Sequence, residues 1–410
     1  MSPDLTENLE LKTENFVVVV GGGPAGLRAA EVLSAQGVTV TLYDAMPSVG
    51  RKFLVAGHGG LNLTHSEPAE NFPLRYHDEP ERWQAMLAEF GPEQTRAWAA
   101  GLGIETFIGT SGRVFPVEKK AAPLLRRWVA RLKAQGVVFH LRRKWTALSR
   151  EPEGSWTLCF RSPDGVEELV RTKKVILALG GGSWPQTGSD GSWRSILAGH
   201  GIEITPFAPA NCGYEVDWKP EFLALADGLP LKNITVSVGD RTVAGECLIT
   251  RYGIEGGAIY QLGRELRAQA EPTLTFDLKP TFSAEELSQK LGPGSEAARR
   301  ERAARHWKLS PAAAALLTHY VGECSTVELC GMIKKLSLRL RGPRPLAEAI
   351  STAGGVAWKE LDEQLQLKKS PGVYCAGEMI DWEGPTGGYL LQGCLSTGHR
   401  AALGSLSSRV

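Results

Sequence analysis

Short apolar runs alternate with glycine-rich turns and an amphipathic stretch at the start of the chain. The run FVVVV, residues 16–20, is β-branched throughout, as is typical of a strand buried on both faces of a parallel sheet. An Ala- and Leu-rich helical stretch follows, and then a second apolar run, VTVTLYD at 38–44, which ends in an acid. This order predicts a β–α–β unit, and with it an α/β fold.

The rest of the pattern divides the chain into three parts. An alternating strand over 136–150, a hairpin turning at 162–165 and a buried strand over 173–182 complete the first part. The pattern then changes to short strand-like runs at 234–238, 247–250 and 274–278, followed by a charged helical stretch from 283 to 355. A buried strand returns at 372–378 and leads into a last helix starting at Tyr389. We predict a nucleotide-binding domain formed by 14–190 and 346–410, interrupted by an inserted β-plus-helical domain at 191–345.

The turn between the first strand and the first helix carries chemistry. Gly21-x-Gly23-x-x-Gly26 lies between a predicted strand and a predicted helix, which is the dinucleotide fingerprint in its structural context. The first glycine permits the tight turn, the second lets the backbone approach a pyrophosphate, and the third allows close packing of helix on strand. Asp44 lies where an acid accepts hydrogen bonds from a ribose. The alternative is an ordinary glycine turn.

Composition narrows the class of partner. Lys and Arg number 46 against 45 Asp and Glu, with a pI near 7.6, so there is no positive field for nucleic acid or an anionic membrane. The seven Cys form no Cys-x-x-Cys pair and no metal-ligand spacing, which predicts reduced thiols and no metal site. The first residues, MSPDLTENLELKTEN, do not have the pattern of a secretory signal. We expect a cytoplasmic protein with a small-molecule substrate; the sequence gives no oligomeric state.

Several blocks together resemble one family of flavoproteins. They are VVVVGGGPAGLRAA, GRKFLVAGHGGLNLTHSE (50–67), LALGGGSWPQTGSDGSW, ISTAGGVAWKELD (350–362) and GVYCAGEMIDWEGPTGGYLLQGCLSTG (372–398). The chain resembles the HI0933-like (YhiN/BaiN-type) NAD(P)/FAD-dependent oxidoreductases of the glutathione-reductase-like FAD superfamily. Many members carry Arg-Cys before the Asn of the second block, where this chain has Gly60-Leu61 before Asn62. Chemistry that depends on that Arg or Cys is therefore not expected here.

The resemblance implies a Rossmann-like FAD-binding domain held from two distant segments. Gly377 and Glu378 would lie by the ribitol and phosphates, and the glycine turn before Tyr389 would meet the N1/O2 edge of the flavin. A helix N-terminus there would favour the negative charge of a reduced flavin. The predicted FAD-binding residues are Gly21, Gly23, Pro24, Ala25, Gly26, Asp44, Arg51, Lys52, Trp145, Gly180, Gly377, Glu378, Gly387, Gly388, Tyr389 and Leu390.

Some of these residues have a second interpretation. Arg51 and Lys52 are placed either to bind diphosphate or to form solvated surface charge. Trp145 lies in the strand that offers backbone groups to adenine in related flavoproteins, or is simply buried in the core. His58 and Asn62 are the candidate catalytic residues, for substrate orientation or proton donation, and their alternative is loop hydrogen bonding. For the neighbouring His65 we favour loop hydrogen bonding.

The predicted function is an FAD-dependent oxidoreductase that transfers hydride through flavin N5 to or from a small organic substrate, for example in reducing a conjugated double bond. One alternative is a flavin-dependent RNA-modifying enzyme, and another is a non-catalytic FAD-binding or redox-sensing protein. The chain has only one fingerprint, since Gly180-Gly181-Gly182 leads to Pro185 and no helix. We therefore expect NAD(P)H, if it is the electron donor, to bind only transiently.

Overall fold

A computed structural model describes residues 16–56, 59–292 and 299–407 of the chain. Its strands are β1 (Phe16–Val20), β2 (Thr39–Asp44), β3 (Thr64–His65), β4 (Thr106–Ile108), β5 (Arg113–Pro116), β6 (Val138–Leu141), β7 (Lys144–Arg150), β8 (Trp156–Arg161), β9 (Glu167–Thr172), β10 (Lys174–Leu177), β11 (Ile204–Ala210), β12 (Tyr214–Glu215), β13 (Pro230–Val238), β14 (Arg241–Thr250), β15 (Gly253–Glu255), β16 (Thr273–Asp277), β17 (Leu336–Arg339), β18 (Gly342–Pro343), β19 (Ser351–Val356) and β20 (Val373–Cys375). Its α-helices are α1 (Pro24–Ala35), α2 (Arg51–Val55), α3 (Pro80–Glu89), α4 (Pro92–Gly101), α5 (Ala121–Ala134), α6 (Trp193–Gly199), α7 (Pro220–Ala226), α8 (Gly257–Gln261), α9 (Gly263–Arg267), α10 (Ala284–Leu291), α11 (Arg299–His306), α12 (Pro311–Tyr320), α13 (Thr326–Lys334) and α14 (Tyr389–Ser407).

The chain folds as two compact units. The first contains the described residues up to 208 together with those from 351 onward, and the second contains those from 209 to 350. The first unit is therefore discontinuous in sequence. That the second unit acts as a substrate or cap domain stays a prediction.

A five-stranded parallel sheet organises the first unit, in the order β20-β10-β1-β2-β6. All five residues of β1 are buried, as expected for a strand covered on both faces. The predicted α/β fold is confirmed, including the return of the chain to this sheet at β20. Because the strands are parallel, their carboxyl ends share one edge, where open α/β sheets bind their ligands.

The alternating stretch at 136–150, predicted as one strand, is two strands in different sheets. β6 pairs in parallel with β2, whereas β7 belongs to the antiparallel sheet β7-β8-β9. The break is at Arg142, whose φ of 56° turns the chain, and its N–H donates to the carbonyl of Met46 at 3.1 Å. A left-handed residue of this kind leaves no trace in hydrophobic alternation, so the prediction of a single strand was wrong.

A buried carboxylate joins three helices of the first unit. Glu31 on α1 is 5% exposed, and its Oε2 accepts hydrogen bonds from Trp98 Nε1 on α4 at 2.9 Å and from Trp128 Nε1 on α5 at 3.0 Å. The guanidinium of Arg28 also donates to Oε2, and that of Arg131 donates to Oε1, each at 3.0 Å. Both indole N–H groups and the carboxylate are thereby satisfied away from water, which a buried charge requires.

A half-buried histidine on α14 packs against α1. His399 stacks on Phe90 with ring centroids 5.1 Å apart, and its Nδ1 lies 3.1 Å from Nη2 of Arg28. Burial, and then the positive charges of Arg28 and Arg400, lower the pKa of His399 to about 4. The imidazole is therefore neutral in the folded protein at pH 7.

Acidification is expected to destabilise the fold through His399. The unfolded chain binds the proton near pH 6.5, whereas the folded chain does so only near 4, so stability falls as the pH drops through this window. With allowance for partial exposure, we expect a loss of about 1–2 kcal/mol. The difference in melting temperature between pH 7 and pH 4.5 should be smaller for His399→Gln than for the wild type. His306→Gln, at an exposed position, serves as the control. If the melting temperature of His399→Gln fell between pH 7 and pH 4.5 by as much as that of the wild type, His399 would not be the source of this pH dependence.

The second unit is built on an antiparallel seven-stranded sheet in the order β17-β16-β13-β14-β15-β12-β18, with helices α10 to α13 in its core cluster. The strands predicted at 234–238 and 247–250 are confirmed as parts of β13 and β14, and the strand predicted at 274–278 is confirmed as β16, which ends one residue earlier, at Asp277. The predicted helical stretch ends at Lys334, however, because LSLR at 336–339 alternates between buried and exposed positions as β17. Helix was the wrong prediction for most of 336–355.

The hydropathy of the helices and the state of the cysteines complete the description of the fold. Within 16–56, 59–292 and 299–407, no helix combines the length and the apolarity needed to cross a membrane. The seven cysteines are free thiols, as predicted, and five of them are buried.

Candidate functional site

The turn from β1 into α1 brings backbone against backbone. Gly21 has a φ of 103°, and its N–H donates to the carbonyl of Tyr43 at 2.8 Å. A Cβ atom on Gly21 would lie 2.2 Å from the carbonyl oxygen of Ala178, and one on Gly26 would lie 1.9 Å from the carbonyl oxygen of Gly21. Neither position has room for a side chain, which is why the sequence has glycine at both. The result is close packing of α1 on the ends of β1 and β10.

Gly23 differs from its two neighbours in the fingerprint. No atom lies within 4 Å of the position that a Cβ on Gly23 would take. Gly23 is also the N-cap of α1, so no side chain there accepts from the N–H groups of the first turn, which begins with Pro24 and Ala25. A helix N-terminus with open space in front of it is suited to a phosphate group.

Asp44 closes the turn from the side of β2. Its Oδ2 accepts from the N–H of Gly22 at 2.6 Å, and its Oδ1 accepts from the N–H of Met46 at 2.7 Å. Burial raises the pKa of Asp44, against these two hydrogen bonds and the nearby charge of Arg51. Each carboxylate oxygen keeps one lone pair for a further donor, such as a ribose hydroxyl.

Lys52 joins the two sequence segments of the first unit. Its Nζ donates to Glu378 Oε2 at 2.6 Å and to Ser183 Oγ at 2.7 Å. The other carboxylate oxygen, Glu378 Oε1, accepts from the N–H of Thr352 at 2.9 Å, and Thr352 Oγ1 accepts from Ser183 N–H at 3.1 Å. Two of the three ammonium hydrogens of Lys52 are thus bonded within the protein, so the side chain links the two sequence segments of the first unit.

The loop after β10 and the residues after β20 lie at the edge of the parallel sheet where the carboxyl ends of the strands meet. Gly180 lies against Ser189, and its carbonyl accepts from Trp193 Nε1 at 2.9 Å. A Cβ on Gly377 would lie 2.9 Å from the Cβ of Ala25, so the second segment reaches the first turn of α1 directly. The structure therefore brings Gly377 to the first turn of α1, joins Glu378 to Lys52, and places Ala178, two residues before Gly180, against Gly21, although about 200 residues separate β10 from β20 in sequence.

The glycine turn before α14 packs on β3. A Cβ on Gly388, whose φ is 108°, would lie 2.4 Å from the carbonyl oxygen of Thr64, and Gly387 lies beside the guanidinium of Arg113. Tyr389 begins α14 with its ring stacked on His65 at 5.1 Å, and Leu390 follows it, partly buried. Burial, with a hydrogen bond to Glu67, raises the pKa of the Tyr389 hydroxyl well above its usual range.

The candidate catalytic residues separate into three cases. His58 lies outside the described residues. His65 uses both ring nitrogens, because Nδ1 accepts from the N–H of Glu67 at 3.1 Å and Nε2 lies 2.9 Å from the carbonyl of Ser111, to which it donates. That pattern fits a neutral imidazole that organises its loop. Asn62 has a solvent-shielded Oδ1 without a hydrogen-bond partner among the described residues.

Unpartnered polar atoms occur among the residues of the candidate site and also in the hydrophobic core. Within the described residues, solvent-shielded side-chain atoms without a hydrogen-bond partner include Arg51 Nε, Asn62 Oδ1, Thr64 Oγ1 and Ser189 Oγ, and also Trp145 Nε1 and Trp83 Nε1 in the core. Buried polar groups are rarely left in this state in a complete protein. A polar cofactor with a diphosphate, such as FAD, would fit the open space at Gly23 and supply partners to such atoms.

Trp145 is placed by the structure in the interior. It is 5% exposed, on β7, and the pairing of β7 with β8 shifts register between Trp145 and Ala147. Its ring packs within the core of the first unit, so core burial accounts for the side chain. A role for its backbone beside adenine stays a prediction.

Sequence reasoning missed three hydroxyl residues of this site, Thr64, Ser183 and Thr352. Each lies within or beside a glycine-rich block that the sequence singled out, but a threonine or serine in such a block carries no distinctive spacing. The only available signal for Thr64 was its position two residues after Asn62, which keeps the two residues close together in the folded chain.

Comparisons with known proteins agree with this architecture. A family model described as the HI0933-like protein Rossmann domain matches residues 15–404. The chain is 26% identical over 410 residues to a 3-dehydro-bile acid delta(4,6)-reductase of Clostridium scindens, covering 94% of this chain and 98% of that protein. It is 22% identical over 397 residues to a ribosomal RNA dihydrouridine synthase of Haemophilus influenzae, covering 94% and 97%.

Solved structures share the fold at lower identity. The 3-ketosteroid-delta4-(5alpha)-dehydrogenase of Rhodococcus jostii RHA1 has a TM-score of 0.56 and 14% identity, over 98% of this chain and 99% of that chain. The 3-ketosteroid delta1-dehydrogenase of Sterolibacterium denitrificans has a TM-score of 0.55 and 13% identity, over 96% and 100%. At such identities the likeness establishes the fold alone.

Proposed function

This chain belongs to the HI0933-like protein family of FAD-dependent oxidoreductases, and on that premise we propose that it reduces a carbon–carbon double bond conjugated to a carbonyl group. The observation that carries this proposal is the relation, over nearly the whole of both chains, to a 3-dehydro-bile acid delta(4,6)-reductase. The ribosomal RNA dihydrouridine synthases are named for a product with two more hydrogens than uridine, which is a comparable reduction. We propose a small organic enone as the substrate.

The residues of the site support this assignment by what they can hold. The open N-terminus of α1 at Gly23 would bind the diphosphate of FAD, and Asp44 would accept from the ribose. Gly377 and the Lys52–Glu378 pair would fix the middle of the cofactor, and the turn before Tyr389 would approach the flavin ring. Bound FAD would supply hydride transfer through its N5 atom, and the protein would supply orientation and exclusion of water.

RNA is the competing substrate, since two of the relatives are ribosomal RNA dihydrouridine synthases, at 22% and 23% identity. The charge balance of 46 basic to 45 acidic residues argues against a long RNA, because non-specific RNA binding needs a surplus of phosphate-binding cations. A small substrate does not need such a surplus. We therefore favour the enone.

Reoxidation of the reduced enzyme distinguishes the two substrates. After anaerobic photoreduction, we expect 4-androstene-3,17-dione or cyclohex-2-enone to restore the oxidised flavin spectrum at least about tenfold faster than the saturated ketone cyclohexanone, because only the enones accept hydride in conjugation. A uridine-containing oligonucleotide should leave the flavin reduced. Reoxidation by the oligonucleotide and by no enone would replace the proposal with RNA modification.

The electron donor can be examined in the same apparatus. In the described first unit, the loop after β10 runs into a short 3-10 turn at Pro185–Thr187 and offers no second helix N-terminus of the fingerprint type. We propose that NADH or NADPH binds transiently and reduces the flavin slowly, with saturation in roughly the high micromolar range. Fast reduction that saturates at low micromolar nucleotide would show a dedicated nicotinamide site.

A further inference from the structure

The segment at 61–65 beside α14 carries two polar atoms that are shielded from solvent and unpartnered within the described residues, Asn62 Oδ1 and Thr64 Oγ1. Thr64 is fully buried. The segment is held in place by its backbone, since the N–H groups of Leu61 and Leu63 donate to the carbonyls of Lys119 and Val114 at 3.0 and 2.9 Å. Asn62 and Thr64 are two residues apart, so their Cα atoms are at most about 7 Å from each other and the two unpartnered atoms belong to one short stretch of chain.

This segment adjoins the turn that begins α14. Thr64 touches Gly388 so closely that a Cβ there would lie 2.4 Å from the threonine carbonyl oxygen. The next residue, His65, stacks on Tyr389 and has both ring nitrogens occupied, so it does not supply the missing partners. Buried hydroxyl and amide groups cost free energy unless they are hydrogen-bonded. A ligand at the start of α14 would complete both.

We propose that Asn62 and Thr64 bind the imide edge of the flavin, Asn62 Oδ1 accepting from N3–H and the Thr64 hydroxyl donating to a neighbouring carbonyl. The edge presents one donor between two acceptors, and the two side chains offer an acceptor and a donor to match. This inference rests on the proposed function, because it needs FAD in the site. In this proposal Asn62 binds the flavin and does not act as a proton donor.

A modified cofactor tests Asn62. Apoprotein of the wild type and of Asn62→Ala would be reconstituted with FAD and with FAD methylated at N3, and the dissociation constants would be measured by fluorescence quenching. We expect the wild type to bind the methylated cofactor about tenfold more weakly, since the N3 donor is lost. Asn62→Ala should bind the two cofactors alike. Equal discrimination by both proteins, or none by the wild type, would overturn the assignment.

Substitution of Thr64 by the isosteric valine should have opposite effects on apoprotein and holoprotein. The apoprotein is expected to melt about 2 °C higher, because an unpartnered hydroxyl is removed. FAD should bind about five- to tenfold more weakly, and the flavin reduction potential should fall, because a donor to the reduced ring is lost. Thr64→Ser keeps the hydroxyl and should restore FAD affinity and potential.

A matched control is available in Thr95, which is also fully buried but donates to Gln392 Oε1 at 2.8 Å. Thr95→Val should lower the melting temperature of apoprotein and holoprotein alike. If Thr64→Val behaved in this way, or bound FAD like the wild type, the inference would fail while the proposed function stood. A wild-type protein that takes up no FAD would overturn both.

Discussion

Replacing Gly23 with glutamate is expected to give folded protein with less than about a tenth of the wild-type FAD content. The apoprotein has room for the new side chain, because no atom lies within 4 Å of its Cβ position. That same space is where the fingerprint would place the diphosphate, so a carboxylate there both fills the space and repels the cofactor. The ratio of flavin to protein absorbance after purification measures the effect, and circular dichroism checks the fold.

Two other glycines separate cofactor loss from misfolding. Gly199, the last residue of α6, also has no atom within 4 Å of its Cβ position, so Gly199→Glu should keep its FAD. Gly26→Ala would place a methyl group 1.9 Å from the carbonyl oxygen of Gly21 and should prevent correct folding of α1 on β1. Full FAD content in Gly23→Glu would mean that the diphosphate does not lie at this turn.

Replacing Glu31 with leucine is expected to lower the free energy of unfolding by about 3–5 kcal/mol. The substitution removes the acceptor for the indole N–H groups of Trp98 and Trp128, and it leaves Arg28 without its opposite charge. Each buried group left unpaired adds its desolvation penalty. Urea titration followed by tryptophan fluorescence should show the loss, because two of the reporting indoles contact the carboxylate itself.

An exposed ion pair in the same unit provides the comparison. Glu167 pairs with Arg161 at 2.7 Å, but both side chains are about half exposed, so Glu167→Leu should leave the free energy of unfolding close to that of the wild type. Equal effects of the two leucine substitutions would show that Glu31 is solvated and does not hold α1, α4 and α5 together.

Local patterns were enough to predict the elements that contact their neighbours in sequence. The β1–α1–β2 unit could be predicted because apolar run, glycine spacing and terminal acid all lie within 30 residues, and the predicted strand at 38–44 became β2 at Thr39–Asp44. The failures at Arg142 and in the segment after Lys334 have a common physical origin. There, a backbone turn or a sheet partner far along the chain decides the structure, and composition does not record it.

The candidate site shows the same limit more strongly. The glycines could be identified because steric exclusion constrains the residue type itself. Lys52 and Glu378 were each singled out, but their pairing joins residues 326 positions apart, and nothing in the sequence specifies it. Thr64 could not be distinguished from an ordinary loop threonine, since what sets it apart is a buried hydroxyl without a partner in the described part of the chain, which is a property of the folded surroundings.

The discontinuity of the first unit has a consequence for synthesis on the ribosome. β10 needs β20 at its edge, yet about 200 residues are made between them, which takes on the order of 10–40 s at roughly 5–20 residues per second. During that time the nascent chain exposes an unpaired, apolar strand edge. Helix α1 also lacks its packing partner α14, whose Gly398 packs on Ala25. The candidate cofactor site is thus complete only after β20 and α14 have been made, and the yield of the protein in cells should depend on chaperones that shield strand edges.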